Sequence, residues 1–180
     1  MERSQGVTLL ELVFALAILA TLVGLAVPEF RRLRLDAQRT AAVNDLLHAL
    51  YLARSEAIKR GAVVSVCPST DGSGCAVSSP DWATGWIVFL NADRDRPPVV
   101  DAGEPILSRH PPIPRMIIQS NRAALSFRPI TQLDVNGTIV FCDERGGPSA
   151  RAIIVSHTGR PRVSLRDASG RPLLCPASSP

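Results

Sequence analysis

The chain has 180 residues, 46% of them apolar and 20% charged, with a formal net charge of +4. That apolar share and small charge exclude intrinsic disorder and leave room for one main core. The mean hydropathy of +0.14 is high for a soluble domain, and the excess sits near the start, where Val7 to Pro28 carries a single charge, Glu11. A purely soluble globule is thereby excluded. The basic side is almost all arginine, 19 residues against the single Lys59. Composition alone does not choose between codon bias and planar recognition of phosphate or carboxylate, which arginine suits better than lysine.

Val7–Pro28 is long enough to cross a bilayer as a helix, roughly 33 Å at 1.5 Å per residue. Its leader, Met1–Gly6, has Glu2 and Arg3 and no net side-chain charge, and no A-x-A break follows the apolar run. Both features argue against an ordinary secretory peptide. Glu11 is costly in such a run unless paired. Thr8-Leu9-Leu10-Glu11 reads as a capping box. Alternatively, a cut after Gly6 would create an ammonium at Val7 to pair with it, from the same chain or a neighbour. Pro28 sits where a proline kinks or locally melts a helix.

Gly6-Val7-Thr8-Leu9-Leu10-Glu11 resembles the class III leader site of type IV prepilins and of type II secretion pseudopilins. The resemblance implies cleavage after Gly6 by the prepilin peptidase, methylation of the new N-terminus at Val7, and a role for Glu11 in docking into the filament. It also implies a single-pass anchor in the bacterial inner membrane, a head in the periplasm, and a place on the pilus or cell surface after assembly with major and minor pilins. Counting charges points the other way. Arg31, Arg32, Arg34 and Arg39 follow the apolar run and only Arg3 precedes it, which by the positive-inside rule puts the head in the cytoplasm. The cysteines side with the prepilin reading.

From Arg31 to Arg60 there is no Pro or Gly. Val43, Leu46, Leu47, Leu50, Ala53 and Ala57 fall on one helical face. Lys59, Arg60 and Gly61 make a C-terminal stop. One helix is therefore expected from about Val7 to Arg60. His48 and Tyr51 on it read as packing or surface residues. After Gly61 short β-rich runs alternate with turn residues: Ala62–Cys67, Gly85–Asn91, Pro105–Arg109, Arg115–Ser120, Ala124–Arg128, Gly137–Cys142, Arg151–Ser156 and Pro161–Leu165. That spacing predicts antiparallel sheet. The organisation expected is a leader at 1–6, a membrane-spanning or filament-core helix at 7–28, its amphipathic continuation at 29–60 and a β-rich head at 61–180.

Four cysteines beyond an apolar run point to two disulfides and an oxidising compartment. They allow three pairings. Cys67–Cys75 is favoured, because the seven residues between them include Asp71-Gly72 and Gly74 and can close a loop; Cys142–Cys175 remains. The spacing gives no zinc ribbon.

The order of parts narrows the family. A long helix is followed by Cys67-Pro68-Ser69, then Trp82-Ala83-Thr84-Gly85-Trp86-Ile87-Val88-Phe89, then Phe141-Cys142-Asp143 and Thr158-Gly159-Arg160. This order resembles the GspH/FimT group of minor pilins and pseudopilins, and within it the FimT-like branch. The fold implied is α+β, a long N-terminal helix packed on an antiparallel β-sheet head.

The main functional candidate is Gly159-Arg160-Pro161-Arg162, at or beside a hairpin turn. Side chains at i and i+2 of a strand face the same way, about 6.6 Å apart, so Arg160 and Arg162 are spaced to hold successive phosphates. Arg145 to Pro180 holds six arginines and one acid, whereas Gly61 to Pro114 holds six acids and three arginines. The basic charge is thus a C-terminal patch, as a nucleic-acid footprint should be. In the FimT-like branch such a G-R-x-R run is associated with DNA capture in natural transformation, an implication carried onto Gly159, Arg160 and Arg162. Arg166 and Arg171 are possible supporting contacts. The patch lacks aromatic residues, so base stacking is not expected. The competing readings are a solvated strand face, arginines paired with a neighbouring pilin, a purely assembly-priming minor pilin, and a pseudopilin of type II secretion. Asn91 to Asp95 with Asp101 and Glu104 departs from an EF-hand loop and reads as turn chemistry, so no metal and no cofactor is expected. His48, His110 and His157 lie in unrelated settings and no catalytic motif is present. Trp82, Trp86 and Phe89 read as core.

Overall fold

The computed structural model describes residues 8–76, 81–129 and 135–176. One helix, α1, spans Leu9–Arg60. Eight strands follow: β1 (Val63–Pro68), β2 (Trp86–Asn91), β3 (Ile106–His110), β4 (Ile117–Ser120), β5 (Leu125–Phe127), β6 (Gly137–Cys142), β7 (Arg151–Val155) and β8 (Pro161–Ser164). They form two antiparallel four-stranded sheets, ordered β3-β2-β1-β5 and β4-β6-β7-β8. The chain divides into two compact units, one ending at Gln38 and one beginning at Arg39.

The first unit is helix. Thr8 and Glu11 form the expected capping box: the Thr8 N–H donates to Glu11 Oε2 at 2.9 Å, and the Glu11 N–H donates to Thr8 Oγ1 at 3.3 Å. From Leu9 to Leu33 the large apolar side chains are more than half exposed. The helix is long and apolar enough there to cross a membrane. Exposed apolar area of this kind needs a non-aqueous neighbour, a bilayer or other helices. α1 continues through Pro28, in line with the single helix expected to about Arg60. Pro28 has no N–H to give to the Gly24 carbonyl, but losing one bond leaves the flanking turns intact.

The second unit has a core set by periodicity. Ala42, Val43, Leu46, Ala49, Leu50, Ala53 and Ala57 are buried on one stripe of α1. They pack with Val64, Val66, Trp86 and Val88 of the first sheet and with Ile118, Ile139, Phe141, Ile153 and Val155 of the second. Alternate residues on the far face of the first sheet, Cys67, Ile87 and Phe89, are also buried, with Cys75, Val100 and Ile106 packed on them. β1 is therefore buried at every position, although an antiparallel strand often leaves one face wet. Two disulfides, Cys67–Cys75 and Cys142–Cys175, have Cα separations of 5.5 and 5.8 Å. The first pins its loop over the far face of β1 and β2; the second holds residues after β8 against a small cluster of Cys142, Ala150, Ala152 and Leu173.

Gly85 shows why the W-x-x-G-W run needs its glycine. It has φ of +103°, and a Cβ there would lie 2.5 Å from the His110 carbonyl oxygen. The chain passes this point between a short 3-10 turn at Trp82–Thr84 and β2.

Candidate nucleic-acid interface

The Gly159-Arg160-Pro161-Arg162 run joins β7 to β8. The Ser156 N–H donates to the Arg160 carbonyl at 3.0 Å, and the Gly159 N–H donates to the Ser156 carbonyl at 2.8 Å. Ser156 Oγ accepts from the Arg160 N–H at 3.2 Å and lies 2.8 Å from Thr158 Oγ1. Gly159 has φ of +69°, the left-handed conformation that closes so tight a turn.

β8 is the edge of its sheet, and Pro161 stands opposite Val155. Since the Ser156 N–H reaches the Arg160 carbonyl, Val155 and Pro161 are a non-hydrogen-bonded pair. The Pro161 nitrogen and carbonyl therefore point to the open edge. No ladder donor is lost there, which is why proline is tolerated. The freed carbonyl accepts a hydrogen bond from the Tyr51 hydroxyl of α1 at 3.2 Å.

Between this edge and α1 lies an open groove of about 840 Å³, lined by Tyr51, Arg54, Ser55 and Ile58 of the helix and by Ser156, Arg160, Pro161 and Arg162 of the hairpin. No carboxylate lines it. Arg160 and Arg162 are exposed and Arg54 is partly so. None of these three guanidiniums has an ion pair or side-chain hydrogen bond among the described residues.

The other C-terminal arginines are occupied. Arg145 pairs with Asp143 at 2.6 Å, Arg151 donates to the Ala150 carbonyl at 2.9 Å, Arg166 donates to the Gly170 carbonyl at 3.0 Å, and Arg171 pairs with Asp167 at 2.8 Å. Arg166 and Arg171, expected as possible supporting contacts, are tied into the turn at Asp167–Gly170 and do not line the groove. The groove also holds an aromatic residue. Tyr51, read as packing or surface, supplies the ring that the C-terminal sequence lacks, and it is 49% exposed. Tyr51, Arg54, Ser55 and Ile58 follow i, i+3, i+4, i+7 spacing beside the core stripe, which puts them on one flank of α1 but does not mark that flank as facing β8.

The remaining candidates separate. Gly6 and Val7 lie outside the described residues. Asp93, Asp95 and Asp101 bring carboxylate oxygens within 4.8 Å of one another. They serve local turns: Asp95 accepts from the Val99 N–H and from Asn91, Asp93 accepts from the Asp95 N–H, and Glu104 accepts from the N–H groups of Ala92 and Asp101. Burial, then the neighbouring charge of Asp93, pushes the Asp101 carboxyl up. His110 stacks on Trp86 with ring centroids 3.9 Å apart and reaches Asp45 at 3.2 Å. His48 and His157 are exposed elsewhere, while Trp82, Trp86 and Phe89 are buried.

A long apolar-then-amphipathic helix seated on two small antiparallel sheets defines a pilin fold. Residues 42–159 match the family described as type II transport protein GspH, and residues 1–27 match the prokaryotic N-terminal methylation motif. The pilin-like protein PilA1 of Thermus thermophilus is 30% identical over 171 residues, which span 88% of this chain and 97% of that protein. Two crystal structures of the type IV minor pilin FimU of Pseudomonas aeruginosa superpose with TM-scores of 0.54 and 0.52. They are 20% and 21% identical, and each alignment covers 76% of this chain and 98% or 93% of the FimU chain. The chain belongs to the GspH/FimT family of type IV minor pilins and pseudopilins. Membership implies assembly with other pilins, and the apolar helix with its methylation motif fits a membrane-anchored pilin.

Proposed function

We propose that this minor pilin binds DNA through Arg160 and Arg162 and contributes to DNA uptake in natural transformation. The prepilin peptidase cuts after Gly6, Val7 is N-methylated, and residues 7–28 hold the protein in the inner membrane with its head in the periplasm. Glu11 then guides its entry into the pilus among major and minor pilins. The protein is a structural and binding component and catalyses nothing.

One observation carries the DNA reading. Among the six arginines from Arg145 onward, only Arg160 and Arg162 have guanidiniums without a partner among the described residues, and both open into one groove free of carboxylates. Such a pair recognises phosphate without reading sequence. Two neutralised phosphates give a log–log salt slope of about −1.8, so affinity falls about tenfold between 50 and 200 mM salt. The test is fluorescence anisotropy of labelled single-stranded and duplex oligonucleotides with the full-length protein in detergent micelles. R160A/R162A is expected to lose most binding while the head unfolds as in wild type. Equal affinity for wild type and double variant sinks the reading.

The second reading is an assembly-priming minor pilin or a type II secretion pseudopilin. The match to the family described as type II transport protein GspH supports it. That role needs Glu11 and α1 but not Arg160 or Arg162. Absence of DNA binding by the wild type at low salt supports it.

A further inference from the structure

Resting on the DNA-binding reading, we infer that α1 supplies half of the site and that the groove takes a single-stranded stretch of DNA, with a base stacked on Tyr51 and a third phosphate held by Arg54. Tyr51 is the only tyrosine in the chain and is 49% exposed. Its hydroxyl is tethered to the Pro161 carbonyl, so the ring stands in a fixed pose beside Arg160 and Arg162. Little ring entropy is then lost when a base arrives. One turn further along α1 is Arg54, whose guanidinium has no partner among the described residues. Another turn on is Ile58, an apolar side chain 45% exposed in the same groove.

Apolar and cationic groups thus alternate around one cleft. A duplex presents chiefly phosphates to such a surface and leaves Tyr51 and Ile58 facing water. Unpaired nucleotides present both phosphates and flat apolar faces, which is the chemistry that aromatic platforms in basic grooves recognise. A cleft of about 840 Å³ has room for a few nucleotides. Arg54 lies on a helix and Arg160 and Arg162 on a hairpin, so the three cations come from both walls and the strand passes between them.

The test compares three labelled probes on the full-length protein in detergent micelles: a short oligothymidine, an abasic oligomer of the same length, and a duplex. Wild type is expected to prefer oligothymidine over the abasic strand by about tenfold, the size of one stacked base. Tyr51→Leu should erase that preference, whereas Tyr51→Phe, which keeps the ring, should retain it. Arg54→Gln should weaken oligothymidine and abasic strand alike and make the salt slope shallower by about 1. Tryptophan emission reports whether each variant is folded. The inference is overturned by equal affinity of wild type for the two strands, by a preference that survives Tyr51→Leu, by Arg54→Gln binding both strands like wild type, or by tighter binding of duplex than of oligothymidine. The DNA reading fails separately, if R160A/R162A binds every probe as wild type does or if wild type binds none.

Discussion

Replacing Asp143 by asparagine removes a carboxylate on which two guanidiniums converge. Asp143 directly follows β6, and its side chain is 2% exposed. Arg39, 5% exposed on α1, reaches it at 3.4 Å, and Arg145 reaches it at 2.6 Å. Breaking a buried pair by removing one partner costs about 3–5 kcal/mol, because the other charge stays buried. Arg145 has a path to water, and Arg39 keeps another interaction, so the lower end of that range applies. For a head of this size a loss of about 3 kcal/mol lowers Tm by roughly 10 °C. The chain's two tryptophans, Trp82 and Trp86, are both buried in the head, so their emission follows its unfolding.

The pH dependence is a second readout of the same contact. Burial pushes the Asp143 carboxyl up, but the hydrogen bonds and charge of Arg145, with the charge of Arg39, outweigh it and hold the group below its ordinary value. A depressed native value means that the contact stabilises the head above the unfolded-state value of about 3.9 and ceases to do so as pH falls through the native one. The gap between wild type and D143N should therefore be full at neutral pH and shrink below about pH 4. Asp71, held down to about 2 chiefly by the Ser73 hydroxyl, and Asp167 titrate in both proteins and drop out of the difference. A loss smaller than about 0.5 kcal/mol, or a gap that stays constant from neutral to acid pH, would falsify the assignment of Asp143 as the anchor of α1 on β6.

The head makes two further predictions. Gly85→Ala forces a Cβ to 2.5 Å from the His110 carbonyl at a backbone angle that L-residues avoid; it should cost more than about 2 kcal/mol in urea unfolding, and a neutral result contradicts the packing at that corner. Removing Cys142–Cys175, with a sequence separation of 33, should destabilise more than removing Cys67–Cys75, with a separation of 8. Chain-entropy arithmetic gives about 3.7 against about 2.5 kcal/mol, and paired Cys→Ser variants unfolded in urea test the order.

The elements are legible in the sequence because their signals are local. The stripe Val43, Leu46, Leu47, Leu50, Ala53 and Ala57 needs only helical periodicity, and each of the eight strands falls within one residue of an expected β-rich run bounded by turn residues. Gly85 and Gly159 are legible as glycines, although only the structure shows that one yields to a carbonyl and the other to a turn. What sequence does not reveal is long-range. Tyr51 meets Pro161 across 110 positions, and no local pattern tells which flank of α1 faces the β8 edge. The surroundings of Arg166 and Arg171 are hidden for a related reason. A charge count adds arginines whatever they touch, but Asp167 takes Arg171 and the Gly170 carbonyl takes Arg166.

The same geometry answers two demands at the β8 edge. An exposed edge strand offers free N–H and C=O groups and invites pairing with another chain. Here Pro161 removes the donor, Tyr51 occupies the acceptor, and the charged Arg160 and Arg162 flank both. Edge protection alone would explain a proline and two charges. It does not require a groove without carboxylates, a half-exposed ring fixed beside the charges, or a third unpaired guanidinium on the facing helix. Three like charges around one cleft repel one another, and none of these features adds to edge protection. An anionic ligand bearing flat apolar groups would offset that repulsion and cover the ring, which supports the proposal that the groove binds DNA as well as guarding an edge.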